Sequence, residues 1–115
     1  WCHGDLHLGN AMTRQQPPHG PALLIDFALA HPGHWVEDAI YFEHLYWSTP
    51  GRGRKLCKLI AHARKEFGLT ADPNWSQLAQ ALRALSAMTT PIRANIEGTS
   101  RQLNAALQVL EAELG

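Results

Sequence analysis

The chain has 115 residues, 45% of them hydrophobic, which suits one domain with an ordinary core and excludes a disordered segment. Ten Lys and Arg offset ten Asp and Glu, so no net field steers the chain toward nucleic acid or an anionic membrane surface. Cys2 and Cys57 make neither a disulfide framework nor a zinc spacing, and no apolar run reaches membrane-spanning length, so a cytoplasmic setting with reduced thiols is expected.

Trp1 to Gly9 reads as the end of a strand and a turn, and Asn10 to Thr13 as a second short strand. Gln15 to Pro21 is dense in Pro and Gly, the composition of an exposed hairpin connection. Ala22 to Phe27 is a short apolar run bounded by turn signals, which predicts a buried strand. His31 to Trp35 is a loop. Trp35 to Trp47 is an aromatic-rich helix, its aromatic residues expected in the core.

Arg54 to Phe67 is the cleanest amphipathic segment. Leu56, Leu59, Ile60, Ala63 and Phe67 fall on one helical face, and Gly68 supplies a stop. Its basic residues read as a solvated face. Asp72 followed by Pro73 predicts an N-cap and first helical residue, with Leu78, Leu82, Leu85 and Met88 on the buried side. Thr90-Pro91 starts a short helix or interrupts a longer one. Thr99 or Ser100 opens the last helix, with Leu103, Leu107, Leu110 and Leu114 on one face. The whole, 1–115, reads as one domain. A motif that starts at His3 lies so near the first residue that a piece of a longer protein is expected.

Two segments carry the chemistry: His3-Gly4-Asp5-Leu6-His7-Leu8-Gly9-Asn10, and Leu24-Ile25-Asp26-Phe27. Together they place two carboxylates and one carboxamide near strand ends. Phosphoryl transfer to an alcohol needs a carboxylate to orient the hydroxyl and oxygen ligands to hold Mg²⁺ on the phosphates. Asp5 and Asn10 share one Gly-containing loop, so both can face a common cavity. A hairpin from Asn10 to Leu24 returns the chain to set Asp26 beside Asn10.

These motifs resemble the catalytic loop and metal-binding strand of aminoglycoside phosphotransferases and related choline- and homoserine-kinase-like enzymes, which are similar to protein kinases in fold. The resemblance runs on through Pro32-Gly33 to Glu37-Asp38-Ala39, with a mild departure at Ala39-Ile40, and covers roughly the first 40 residues. It implies an α+β, mainly helical fold: the C-terminal lobe of a protein-kinase-like enzyme, with a small β-hairpin carrying the catalytic loop. It implies ATP and Mg²⁺ as cofactors and a small-molecule alcohol as acceptor. Asp5 would be the catalytic carboxylate. Asn10 and Asp26 would hold Mg²⁺ and the nucleotide, and His7 would donate to the transferred phosphate. His3 would brace the loop, and Asp38 would bind the loop backbone. No Gly-rich phosphate loop is present. The N-terminal nucleotide-binding lobe is therefore expected to be missing, the fragment inactive alone, and its docking face prone to self-association.

Plainer readings stand beside these. Asp26 alone is a turn or cap residue, Asn10 a turn residue, His7 a loop histidine, and Asp38 a cap of the following helix. Trp47 or Trp75 could line a substrate pocket. The main rival enzyme is a metal-dependent hydrolase. On an extended strand His3, Asp5 and His7 would share one face and could bind Zn²⁺, with His31 and His34 as further ligands. A non-catalytic, kinase-like interaction fragment is the third reading.

Overall fold

The computed structural model describes residues 1–16, 19–49, 56–70, 72–97 and 100–115, without the side chains of residues 91–97. Pro17 and Pro18 of the expected hairpin connection, Arg54 and Lys55 of the second helix, the Pro91 side chain and Thr99 lie outside that description. Within it the chain is α+β and mainly helical. Two short strands, β1 (Ala11–Thr13) and β2 (Ala22–Leu24), precede four helices. These are α1 (Trp35–Leu45), α2 (Leu56–Glu66), α3 (Trp75–Glu97) and α4 (Ser100–Leu114).

The strands pair antiparallel, Ala11 opposite Leu24, Met12 opposite Leu23 and Thr13 opposite Ala22. One further bond, Ile25 N–H to the Asn10 carbonyl at 3.0 Å, extends the ladder toward the loop. The expected buried strand Ala22 to Phe27 is corrected on both counts. It stops at Leu24 because Asp26 turns into the left-handed region, φ 60°. It is also exposed, with Leu23 at 64% and Phe27 at 55%. A two-stranded ribbon cannot bury its own faces.

Helix α1 is capped by a residue that its sequence does not advertise. The His34 ring accepts from Val36 N–H at 3.2 Å, and Glu37 returns to His34 N–H at 2.8 Å, a capping box with histidine in the Ser/Thr position. Asp38 therefore does not cap this helix. At the far end of α2, Gly68 adopts φ 68°. Leu69 N–H bonds the Arg64 carbonyl and Gly68 N–H the Lys65 carbonyl, which closes the helix as a Schellman motif.

Helix α1 packs on α2 and α3, and α3 packs on α4. The main core joins Val36, Ala39, Ile40, Cys57 and Ala79, with Trp35, Ile60, Trp75, Leu78 and Leu82 against it. A second cluster joins Ala87, Ala106 and Val109, with Trp47 and Leu110 beside it. The leucine stripes read from the sequence are thus displaced by about one position. On α2, Leu59 and Phe67 are exposed while Cys57 is buried. That rotation carries the Arg64 guanidinium over the Trp35 ring, 5.3 Å from its centre. On α3 and α4, Leu85, Met88, Leu107 and Leu114 face outward, and small residues make the close helix contacts.

Helix α3 begins two residues later than Asp72-Pro73 predicts. Asp72 receives Asn74 N–H on its carboxylate and Trp75 N–H on its carbonyl, and the Asn74 carbonyl takes the first helical bonds. The helix continues through Pro91 rather than restarting there. Thr89 and Thr90 both donate their hydroxyls to the Ser86 carbonyl in the turn before it.

One buried carboxylate ties the helices together. Glu43, 1% exposed at its side chain, accepts from Arg83 Nε at 2.9 Å and from Arg83 Nη2 at 3.2 Å. It also accepts from Cys57 N–H, in the first turn of α2, at 2.8 Å. Glu113 of α4 approaches the same guanidinium at 4.0 Å. Burial, and then Glu43, push the neighbouring Cys57 thiol up to about 11. Arg83→Met strands the Glu43 charge and is expected to cost about 3–5 kcal/mol in urea denaturation. Glu43→Gln combined with Arg83→Met keeps an acceptor for Cys57 N–H and is expected to recover most of that loss.

Candidate functional site

The site is built on the loop from His3 to Asn10, and side chains hold the loop's backbone. Asp38, in the first turn of α1, accepts His3 N–H at 2.7 Å and Gly4 N–H at 2.9 Å. Gly4 sits at φ 85°, and a Cβ there would stand 2.1 Å from the Leu29 carbonyl oxygen, so no other residue fits. His3 is buried and uses both ring nitrogens. Nδ1 accepts Asp5 N–H at 3.3 Å, which leaves the proton on Nε2 to be donated to the Ile25 carbonyl at 2.9 Å. Its ring lies 4.6 Å from that of Phe27. One histidine thus links the loop to the two residues flanking Asp26.

Asp5 is presented by this frame. Its Oδ1 accepts the Tyr41 hydroxyl at 2.7 Å. Asn10 Nδ2 donates to the Asp5 carbonyl at 3.0 Å and reaches Oδ2 at 3.4 Å. His7 Nε2 stands 3.6 Å from Oδ2. The Tyr41 hydrogen bond first, then His7, Asn10 and His3, hold the Asp5 carboxyl below its ordinary range. His7 Nδ1 accepts Gly9 N–H at 3.0 Å and caps the short 3₁₀ turn Leu8–Asn10. Its Nε2–H is therefore the end that faces Asp5.

Asp5, His7 and Asn10 meet directly. Asp26 joins them through the backbone, by the Ile25 N–H to Asn10 carbonyl bond and the His3 bond to Ile25. No hydrogen bond among the described residues links its exposed carboxylate to the other three. Its left-handed φ of 60° is a strained conformation for a residue with a Cβ. With Nδ2 of Asn10 turned to Asp5, its Oδ1 is the atom left for a cation. A carboxamide oxygen and a carboxylate are the hard donors that suit Mg²⁺.

The His-x-Asp-x-His zinc face does not form. The loop is bent rather than extended, and both His3 nitrogens are engaged with backbone. His31 turns to Glu37, and His34 to Asp72 at 2.8 Å. Trp47 packs on the second core cluster, and the cavity of about 240 Å³ lined by Trp75 contains none of Asp5, His7, Asn10 or Asp26. Tyr41 went unrecognised in the sequence. Its signal was its spacing, one helical turn after Asp38 on the same face of α1.

A model of the phosphotransferase enzyme family matches residues 1–81, more than half of the chain. The chain belongs to that family. The match covers the whole loop, the β-ribbon, α1 and α2, so every residue of the Asp5 centre lies within it. No curated protein and no solved structure matched this phosphotransferase chain.

Three outcomes test the geometry. Tyr41→Phe removes the strongest hydrogen bond on Asp5, so the Asp5 carboxyl is expected to titrate at higher pH when followed by carboxyl NMR. Asp38→Ala leaves two loop amides unpaired and is expected to destabilise the fold by about 1–3 kcal/mol for each, read by urea denaturation. Asp26→Gly relieves left-handed strain and is expected to raise stability by about 1 kcal/mol, whatever it does to activity.

Proposed function

We propose that this phosphotransferase moves the γ-phosphoryl group of ATP to a hydroxyl of a small molecule, with Asp5 positioning that hydroxyl. The observation that carries the reading is the state of Asp5. Its carboxylate is held ionised by Tyr41 and stands beside the Asn10 amide on a backbone clamped by Asp38. A carboxyl kept below its ordinary range is a weak base, so its main work is to accept and aim the acceptor O–H in line with the phosphorus. Asn10 Oδ1 and the Asp26 carboxylate would hold Mg²⁺, which when bound neutralises charge on the phosphates. His7 Nε2–H can swing the short distance from Asp5 toward a phosphate oxygen. His3 and Asp38 act only by holding the loop.

The 115 residues contain no Gly-rich phosphate loop, so turnover on this reading draws that element from further residues. The apolar side chains open along the ribbon, Met12, Leu23 and Phe27 among them, favour a covering protein surface there, or self-association in its absence. No described helix is long and apolar enough to cross a membrane. Two free, buried thiols fit a reducing compartment such as the cytoplasm.

The test is ATP consumption by the full-length protein against a panel of sugars, amino alcohols, choline-like alcohols and nucleosides. Asp5→Ala is expected to lower turnover by roughly 10²–10⁴-fold with nucleotide affinity nearly unchanged. Asp26→Ala is expected to weaken Mg²⁺-nucleotide binding as well. Unchanged turnover in Asp5→Ala would remove Asp5 from the reaction and leave a binding or scaffolding role.

A further inference from the structure

A second cluster of ligating side chains lies outside the Asp5 centre. Cys2 and His31 face each other across an isolated β-bridge, with bonds of 2.8 and 3.2 Å between their backbones. Glu37 projects from the first turn of α1. Cys2 Sγ, a His31 ring nitrogen and a Glu37 carboxylate oxygen all lie within 4.8 Å of one another. Among the described residues, no other group of three His, Cys, Asp or Glu side chains converges in this way.

The hydrogen bonds around the cluster point to a cation. His31 Nδ1 stands 3.0 Å from the Leu29 carbonyl, an acceptor, and the neutral tautomer with its proton on Nδ1 donates to it. Nε2 then turns a lone pair toward Glu37 Oε2 at 3.1 Å. Two acceptors so close need a positive species, either a second proton on the ring or a metal ion. An Nδ1–H donated to a backbone carbonyl, with Nε2 facing other ligands, is how metal-binding histidines are oriented. Glu37 is prepared in the same sense. Its Oε1 is used by His34 N–H at 2.8 Å, which leaves Oε2 for the cluster.

Gly33 keeps the space open. A Cβ there would stand 2.7 Å from Glu37 Oε1 and 2.9 Å from Cys2 Sγ. Two carboxylates, Asp38 and Glu37, set a negative field at Cys2.

We propose that Cys2, His31 and Glu37 form a Zn²⁺ site, with solvent in the fourth position. The mixed sulfur, nitrogen and oxygen set suits Zn²⁺, whereas Mg²⁺ takes oxygen donors. On binding, the Cys2 S–H proton, now directed at the His34 carbonyl at 3.1 Å, leaves to solvent, as does any second proton on His31. The thiolate, imidazole and carboxylate each donate an electron pair, and nothing is oxidised or reduced. The ion would fasten the segment leading into His3 and Asp5 to the helix that carries Asp38 and Tyr41.

The experiment is a Co²⁺ titration of the full-length, chelator-stripped protein, with Co²⁺ as the spectroscopic stand-in for Zn²⁺. A thiolate-to-cobalt charge-transfer band is expected in the near ultraviolet, displaced by Zn²⁺ and untouched by Mg²⁺. Cys2→Ser is expected to abolish the band. His31→Gln and Gly33→Ala are expected to weaken Co²⁺ binding roughly 10–100-fold, with folding checked by circular dichroism. Absence of the band, its survival in Cys2→Ser, or undiminished affinity in His31→Gln would overturn the site. Should Cys2→Ser fail to fold, His31→Gln decides alone, since that side chain is 44% exposed.

Discussion

The two hydrogen bonds from consecutive backbone amides, His3 and Gly4, to the Asp38 carboxylate are the constraint on which the site rests. They orient the loop before any ligand arrives, and Gly4 at φ 85° lets the backbone lie against the Leu29 carbonyl. Asp38 can serve this way only because α1 is itself fixed. The Glu43 carboxylate, on the same helix, holds Arg83 of α3 and the first turn of α2. Position therefore passes from a buried ion pair to a helix, from the helix to a loop, and from the loop to Asp5. Preorganisation of this kind is what transfer of a phosphoryl group asks of a protein, since the enzyme supplies little covalent chemistry of its own.

The two halves of the molecule are held by different forces. The helical half relies on apolar contact through small side chains, Ala39, Cys57, Ala79, Ala87 and Ala106 among them, which let helix backbones come close. The loop half has little apolar burial and relies on charge-assisted and imidazole hydrogen bonds. His3 alone joins Asp5 N–H, the Ile25 carbonyl and the Phe27 ring. Polar networks of this sort fix geometry tightly when every member is satisfied. They also leave the β-ribbon open, and Met12, Leu23 and Phe27 stand in solvent.

Much of this was legible in the residues. The order of two short strands followed by helices, the loop from His3 to Asn10, the Gly68 stop and the family all followed from motif and period. Burial followed less well. Period alone selects the largest apolar side chains, and so favoured Leu59, Phe67, Leu85 and Met88, which are exposed. Helix rotation was decided instead by tertiary partners that a single helix does not reveal: Arg64 over Trp35, and Cys57 N–H on Glu43. The cap of α1 was hidden for a chemical reason, because imidazole is an uncommon acceptor there and His34 reads as a loop residue. Tyr41 was hidden by distance, since its partner Asp5 lies 36 residues away.

Cys57 carries a consequence of its own. Only the thiolate attacks electrophiles, and a sulfhydryl pushed to about 11 inside the main core is almost entirely protonated at neutral pH. Covalent labelling at that sulfur therefore has to wait for the helices to part. Its rate of capture by an alkylating reagent is an intrinsic clock for opening of the α1–α2–α3 interface, one that needs no engineered cysteine.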